Sequence, residues 1–176
     1  MNFADVIAEL KKRYRAELER VTVEWRLPTD AEEARLIAEV ELRVPPAPRD
    51  ERYLTDDDIE RWTAEVEISV EALFDGIAMY LARGFHTGTL PFAFCDAIVN
   101  NLNGFVYDPR SFYATHAKNG PLQGPPKLFW DIYLAFDAGE YWRPGDDRDP
   151  ITSYTRPAIG KIVEENVGFR YPDASL

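Results

Sequence analysis

The chain is poor in the residues that most often build catalytic or metal centres. Its 176 residues include one cysteine, Cys95, and two histidines, His86 and His116. A single cysteine cannot form an internal disulfide, so a reducing cytoplasm is the expected compartment. Cys95 has apolar neighbours, which predicts a small buried residue, because a reactive thiol needs an electropositive and partly exposed setting.

The histidines and the acidic loops carry no pattern of metal ligands. Neither His86 nor His116 has a carboxylate three or four residues away, the spacing by which helices present zinc or di-iron ligands. The acidic loop at Asp146, Asp147 and Asp149 lacks the central glycine and terminal glutamate of an EF-hand. We therefore expect no metal and no other cofactor.

Long apolar runs and glycine-rich phosphate loops are also missing. The longest uncharged stretch covers residues 84–95 and is interrupted by glycine and proline, whereas a spanning helix needs about 20 mostly apolar residues. Gly84 and Gly88 are not followed by the Gly-Lys-Ser/Thr of a nucleotide-binding loop. The first residues show no basic stretch before an apolar run, so neither a secretion signal nor a membrane segment is expected.

Positive charge is scarce, and the excess of negative charge is unevenly distributed. The chain has 20 Lys and Arg against 31 Asp and Glu, a formal net charge of −11. Residues 1–75 carry 20 acids and 11 bases, and residues 137–176 carry 8 acids and 5 bases. This charge repels phosphate backbones, which argues against a nucleic-acid ligand and favours a basic protein as partner.

The sequence is rich in aromatic residues over one nearly uncharged segment. Residues 76–136 have only seven charged side chains but 12 of the 23 aromatic residues. A chain of this length with 45% hydrophobic residues can bury a core large enough to fold without a covalent staple. We interpret the segment as the core of a single globular domain over residues 1–176, with an acidic coat.

Apolar residues recur at intervals of three and four, which predicts an all-α domain of about five or six helices. The first helix begins near Phe3 and extends to about Arg20. The clearest pattern follows Thr55, where three aspartates open a helix that is expected to continue unbroken over residues 55–83. Residues 21–44 are predicted to be helical, but their alternating pattern leaves a β-hairpin, and so an α+β fold, as the alternative.

Three shorter helices are predicted in the second half of the chain. One begins at residue 91 or 92 and ends at Gly104, because glycine is a common C-terminal stop. The next twenty or so residues are rich in turn signals and are interpreted as a loop. A nearly all-apolar helix begins near Pro126 and ends by Gly139, and Thr155 caps a last short helix.

The acidic helix after Thr55 is the strongest functional signal. Between Thr55 and Asp75 the sequence has eight acids and a single base, Arg61. An acidic face accelerates association with a basic protein, although it can also be a merely solvated surface. We therefore predict a non-enzymatic binding or inhibitory protein, by analogy with immunity-type proteins that cap the basic active site of a nuclease toxin. The predicted docking residues are Asp56, Asp57, Asp58, Glu60, Glu67, Glu71 and Asp75.

A small-ligand site or an enzyme is the alternative function. Asp137 and Glu140 are three residues apart and can share a helix face, as paired carboxylates in acid–base chemistry do, unless both are simply solvated. The pocket residues predicted for this alternative are Asn100, His116, Asp131, Tyr133 and Asp137. Long amphipathic helices can also pair between chains, so a homodimer is a third possibility.

Overall fold

The protein is mainly helical, as the apolar spacing predicts. The computed structural model describes residues 1–24, 54–118, 124–145 and 147–172, with side chains in the first range described only as far as residue 13. These residues form seven α-helices and one π-helical turn, with no strand among them. The helices are α1 Phe3–Glu24, α2 Asp56–Val66, α3 Val70–His86, α4 Phe92–Tyr107, α5 Phe112–His116, α6 Lys127–Asp137 and α7 Arg156–Glu165, and the π-helical turn is Ile151–Thr155.

Helix α1 is four residues longer than its expected end near Arg20, since it continues to Glu24. The choice between helix and hairpin for residues 21–44 lies outside the described residues from position 25 onward.

Helix α3 is the centre of the fold. Eleven of its 17 residues are buried, and it packs against α2, α4, α5, α6 and α7. Edge-on ring pairs fix it against α6, with centroid distances of 5.4 Å for Phe85 and Phe136 and 5.5 Å for Phe74 and Phe129. One cluster of buried side chains joins all seven helices, and residues 76–136 supply most of it. The uncharged aromatic segment is therefore the core, as predicted.

The predicted unbroken helix over residues 55–83 is wrong, because the chain turns at Glu67. This residue adopts the left-handed conformation with φ 58°, and its N–H donates to the carbonyl oxygen of Thr63, which ends α2. Ser69 then begins α3, since its hydroxyl oxygen accepts a hydrogen bond from the amide of Ala72 at 3.2 Å. The apolar residues on the two sides of the break keep a spacing of four, so periodicity alone gave no sign of it.

The predicted helix end at Gly104 and the loop after it also need correction. Helix α4 continues through Gly104 for three more residues. The segment expected to be a loop contains the short helix α5, which Ser111 caps by accepting a hydrogen bond from the amide of Ala114 at 3.0 Å. The same hydroxyl donates to the carbonyl oxygen of Phe105 at 2.6 Å, which ties α5 to α4.

Thr155 does not cap the last helix, because the helical backbone begins before it. The π-helical turn continues directly into α7, and the cap is Asp149, whose carboxylate accepts hydrogen bonds from the amide and hydroxyl of Thr152 at 3.1 and 2.9 Å. Thr155 is instead buried against Gly139, where an added Cβ atom would lie 2.2 Å from its Oγ1. Gly139 thus permits the chain after α6 to approach the π-helical turn.

An ion-pair network joins α1 to α2. The carboxylate oxygens of Asp58 lie 2.5 and 2.7 Å from the two terminal nitrogens of Arg13, and Asp58 also completes a capping box with Thr55. Glu9 of α1 accepts a hydrogen bond from Arg61 of α2 at 2.8 Å. Burial alone would raise the pKa of Asp58, but the hydrogen bonds from Arg13 and Thr55 hold that pKa well below its usual value.

Replacing Asp58 by alanine should lower the free energy of unfolding by about 2–4 kcal/mol, because the change removes the capping box and the two hydrogen bonds that Asp58 accepts from Arg13. The control is Asp57→Ala at the neighbouring exposed position, which should cost less than about 1 kcal/mol. Urea denaturation at pH 7 measures both.

Because the folded-state pKa of Asp58 is lowered, its contribution to stability is present above about pH 4 and disappears as the pH falls through the folded-state value. Equal losses for the two variants would contradict this role.

Replacing Gly104 by alanine should raise the free energy of unfolding by about 0.5–1 kcal/mol, because this glycine lies inside a helix with open space around it. Gly139→Ala should have the opposite effect, since its Cβ would collide with Thr155. Denaturation curves for the two variants test the corrected helix boundary, and a loss of stability in Gly104→Ala would indicate that Gly104 ends the helix after all.

Candidate functional site

The seven acids predicted as a docking face are divided between two helices and the turn that separates them. Four belong to α2, Glu67 lies in the turn, and two belong to α3. Asp57, Glu60 and Glu67 are exposed to solvent. The remaining four make contacts inside the protein, so residues 55–75 do not present one continuous acidic face.

Three of these internal acids accept hydrogen bonds from backbone N–H groups of distant segments. The pairs are Asp56 with the amide of Phe112 at 2.9 Å, Asp75 with that of Phe129 at 2.9 Å, and Glu71 with that of Lys118 at 2.6 Å. Phe112 and Phe129 lie in the first turns of α5 and α6, where N–H groups have no partner within the helix. Asp56 and Asp75 therefore cap these two helices from elsewhere in the fold.

A second group of acids meets where α4 packs beside the end of α6. The carboxyl groups of Asp96 and Glu140 share a hydrogen bond. The side-chain amide of Asn100 donates to both, at 3.2 Å to Asp96 Oδ1 and 2.9 Å to Glu140 Oε1. Asp137, the last residue of α6, adds a further negative charge beside Asp96. These four residues are called the carboxylate cluster below.

The environment moves the pKa values of the two bonded carboxyl groups in opposite directions. Burial and then the charge of Glu140 raise the pKa of Asp96 to about 7. Burial also opposes ionisation of Glu140, but hydrogen bonds from Asn100, Tyr141 and Asp96 outweigh it and lower that pKa. Below pH 7 the pair therefore shares one proton, carried by Asp96, and above pH 7 both groups are ionised.

A row of aromatic rings borders the carboxylate cluster. Tyr133 faces it from α6, and burial together with the nearby carboxylates raises its pKa. Glu140 lies close to the hydroxyl of Tyr141 and raises the pKa of that group. Trp130 stacks on Tyr133 with centroids 5.2 Å apart, and Tyr107 meets Trp130 edge-on at 6.5 Å. The rings thus continue from the end of α4 to the cluster.

Several of these rings are exposed to solvent. Among the described residues, large apolar side chains are exposed at six positions, and four of them lie on or directly after α4 and α6. They are Tyr107 at 63%, Leu134 at 45%, Tyr141 at 60% and Trp142 at 65% exposure. Leu134 and Trp142 directly follow Tyr133 and Tyr141 in the chain. Exposed apolar groups that adjoin one another often mark interaction sites. We call the carboxylate cluster with Tyr107, Trp130, Tyr133, Leu134, Tyr141 and Trp142 the acidic aromatic surface.

The negative charge of this surface is not neutralised within the described part of the chain. No lysine or arginine there forms an ion pair with Asp96, Asp137 or Glu140. By contrast, Asp131 is paired with Lys127 one turn before it on α6. Arg143, which lies next to this surface, donates to the carbonyl oxygen of Ala138 and stacks on Tyr154. The acidic aromatic surface therefore offers acceptor oxygens that none of the described ion pairs engages.

The pocket predicted from sequence is only partly assembled. Asn100, Tyr133 and Asp137 come together at the carboxylate cluster. Asp131 is held by its ion pair instead, and His116 ends α5, where its ring stacks on Phe112 with centroids 4.0 Å apart. No described contact links these last two to the cluster.

Asp96 is the member of the cluster that was not predicted as a site residue. Its partner Glu140 is 44 residues away, so no local spacing reveals the pair. The signal that could have found Asp96 is its isolation, since it is the one charged residue in α4. A lone carboxyl in an apolar helix needs a partner.

The remaining candidates for catalysis or metal binding among the described residues do not form a reactive site. Cys95 is buried, as predicted, with its Sγ 3.6 Å from the carbonyl oxygen of Leu81, and burial raises the pKa of the thiol. Over the described ranges, no three His, Cys, Asp or Glu side chains are grouped so as to hold a metal ion. None of the described helices is long and apolar enough to cross a membrane.

Comparison with known proteins gives no assignment. No protein-family model matches the chain, and neither a curated protein nor a solved structure is significantly similar to it. The function is therefore argued from the carboxylate cluster and the rings around it.

Replacing Asp96 by asparagine should remove a pH dependence of stability. Because the folded-state pKa of Asp96 is raised, the folded protein binds more protons than the unfolded chain between about pH 4 and pH 7, so stability falls as the pH rises through that window. Asparagine keeps a donor toward Glu140 but cannot ionise. Urea denaturation should show equal stability at pH 4 and an advantage for the variant of about 1–2 kcal/mol at pH 8, after allowance for solvent screening. Parallel pH profiles would contradict the shared proton.

Proposed function

We propose that this chain is a non-enzymatic binding protein that docks a basic protein through the acidic aromatic surface. One observation carries the proposal: carboxylates that form no ion pair with a described lysine or arginine lie beside Tyr133 and the exposed ring of Tyr141. The partner is the basic protein that the sequence predicts. Its principal contact in this proposal is with α4 and α6 and not with residues 55–75.

Arginine and lysine side chains match the chemistry of this surface. A guanidinium group forms paired hydrogen bonds with a carboxylate and stacks on aromatic faces. One arginine can therefore contact Asp137, Glu140 and Tyr141 together. A cation over a tyrosine or tryptophan ring contributes about 0.5–2 kcal/mol, depending on how far it is desolvated. The net charge of −11 adds long-range attraction, which accelerates association.

The exposure of the rings favours a macromolecular partner over a small ligand. Small-ligand sites bury most of the ligand surface, whereas Tyr107, Tyr141 and Trp142 stand largely in solvent. Tyrosine and tryptophan also dominate the energetics of protein interfaces.

The exposed acids of α2 have a secondary place in this proposal. Asp57, Glu60 and Glu67 are available for long-range attraction, and their part in docking stays a prediction. The other four predicted docking acids hold the fold together and are therefore poorly placed to contact a partner.

Binding of a fluorescent arginine-rich peptide, followed by anisotropy, tests the surface with a defined probe. The double variant Asp137→Asn, Glu140→Gln and the single variant Tyr141→Ala should each weaken binding at least tenfold. The matched control is Asp57→Asn, Glu60→Gln, which removes the same charge from α2 and should weaken binding less than threefold. If the two double variants have equal effects, the peptide responds to net charge alone and the proposed surface is wrong.

The affinity for the same peptide should rise between pH 6 and pH 8, because Asp96 loses its proton in that interval and the cluster gains a negative charge. Asp96→Asn should abolish the increase while it preserves the fold. An increase of the same size in both proteins would assign the pH dependence to other groups.

A further inference from the structure

A groove lies between α1, α3 and the chain after α7. Its volume is about 460 Å³, within the range of about 300–1,000 Å³ typical of small-molecule sites. It is lined by Phe3, Ala4, Ile7, Ala8, Lys11, Tyr80 and Tyr171. None of these residues belongs to the acidic aromatic surface, so the groove is independent of the proposed function.

The aromatic wall of the groove is preformed. The ring of Tyr171 stacks on that of Phe3, with centroids 5.3 Å apart and planes within 17°. The guanidinium of Arg83 lies 5.4 Å above Tyr171 and is itself fixed by hydrogen bonds to backbone carbonyl oxygens after α7. Phe3 rests on Gly76, where an added Cβ atom would lie 2.8 Å from the ring. These contacts fix both rings in the wall of the groove.

Lys11 is the one charged residue in this lining. Its ammonium nitrogen lies 5.1 Å from the ring centre of Tyr80. No carboxylate in the described ranges pairs with it, whereas Arg13 on the same helix is paired with Asp58. An unpaired ammonium above an apolar groove therefore provides a site for an anionic group attached to an apolar body.

We propose that the groove binds a small amphipathic carboxylate, aliphatic or aromatic, with its apolar body along Phe3, Ile7 and Tyr171 and its carboxylate at Lys11. The charge of the whole chain supports selectivity, since a protein with a net charge of −11 repels free anions. Anion binding in this groove therefore depends on Lys11 and not on general attraction. Each methylene added to an aliphatic ligand should tighten binding about fourfold until the groove is full.

Calorimetric titration of the full chain with octanoate, decanoate and decanol tests the proposal. Decanoate should bind at least tenfold more tightly than decanol. Its affinity should also exceed that of octanoate by about tenfold or more. Lys11→Met keeps an apolar stem without the charge, and it should erase the preference for decanoate over decanol. Lys12→Met, at the neighbouring position outside the lining, should leave all three affinities unchanged.

A groove-filling variant distinguishes this site from others on the molecule. Ala8→Trp should abolish binding of both decanoate and decanol while the melting temperature shows that the protein remains folded. Absence of decanoate binding to the natural chain, or equal affinities for decanoate and decanol, would overturn the proposal. Unchanged binding in Ala8→Trp would overturn it as well, because the ligand would then lie elsewhere.

Discussion

The buried helix α3 determines how the other helices are arranged. A helix that is apolar on nearly all sides must be surrounded, and five other helices pack around this one. Short helices packed in this way bring their unsatisfied N-terminal amides close to the centre of the fold. The acids of α2 and α3 meet that need, because Asp56 and Asp75 cap α5 and α6 across the structure.

The negative charge of the chain therefore has two separate physical roles. Asp58, Glu71 and their capping neighbours are matched to guanidinium or amide donors, which makes them structural. Asp96, Asp137 and Glu140 have no cation among the described residues and lie beside exposed rings. Counting acids along the sequence gives both groups the same weight, whereas the structure separates those with internal partners from those that can still accept one.

Much of the fold could be predicted from local pattern. The spacing of apolar residues located the helical segments, Pro126 marked the start of α6, and the apolar setting of Cys95 predicted its burial. The break at Glu67 could not be foreseen, because a glutamate in the left-handed conformation carries none of the signal of a glycine. The helix end predicted at Gly104 was wrong because that glycine has an ordinary helical conformation.

The candidate site was harder to predict, because its members meet only after folding. Asn100, Tyr133 and Asp137 were chosen from their residue types, but Asp96 and Glu140 are joined by a contact across 44 residues. The hydrogen bonds that withdraw Asp56, Glu71 and Asp75 from the surface span 56, 47 and 54 residues. No spacing rule along one helix reports contacts of that range.

In the proposed function, cationic groups of the partner bind at the acidic aromatic surface. The most direct measurement is a nuclear magnetic resonance titration with an arginine-rich peptide that follows the indole N–H signals of the tryptophans. We expect the signals of Trp142 and Trp130 to shift with a common affinity, while that of Trp62, which is buried beside α1, does not move. Shifts confined to amides of α2, with both surface indoles unmoved, would contradict it.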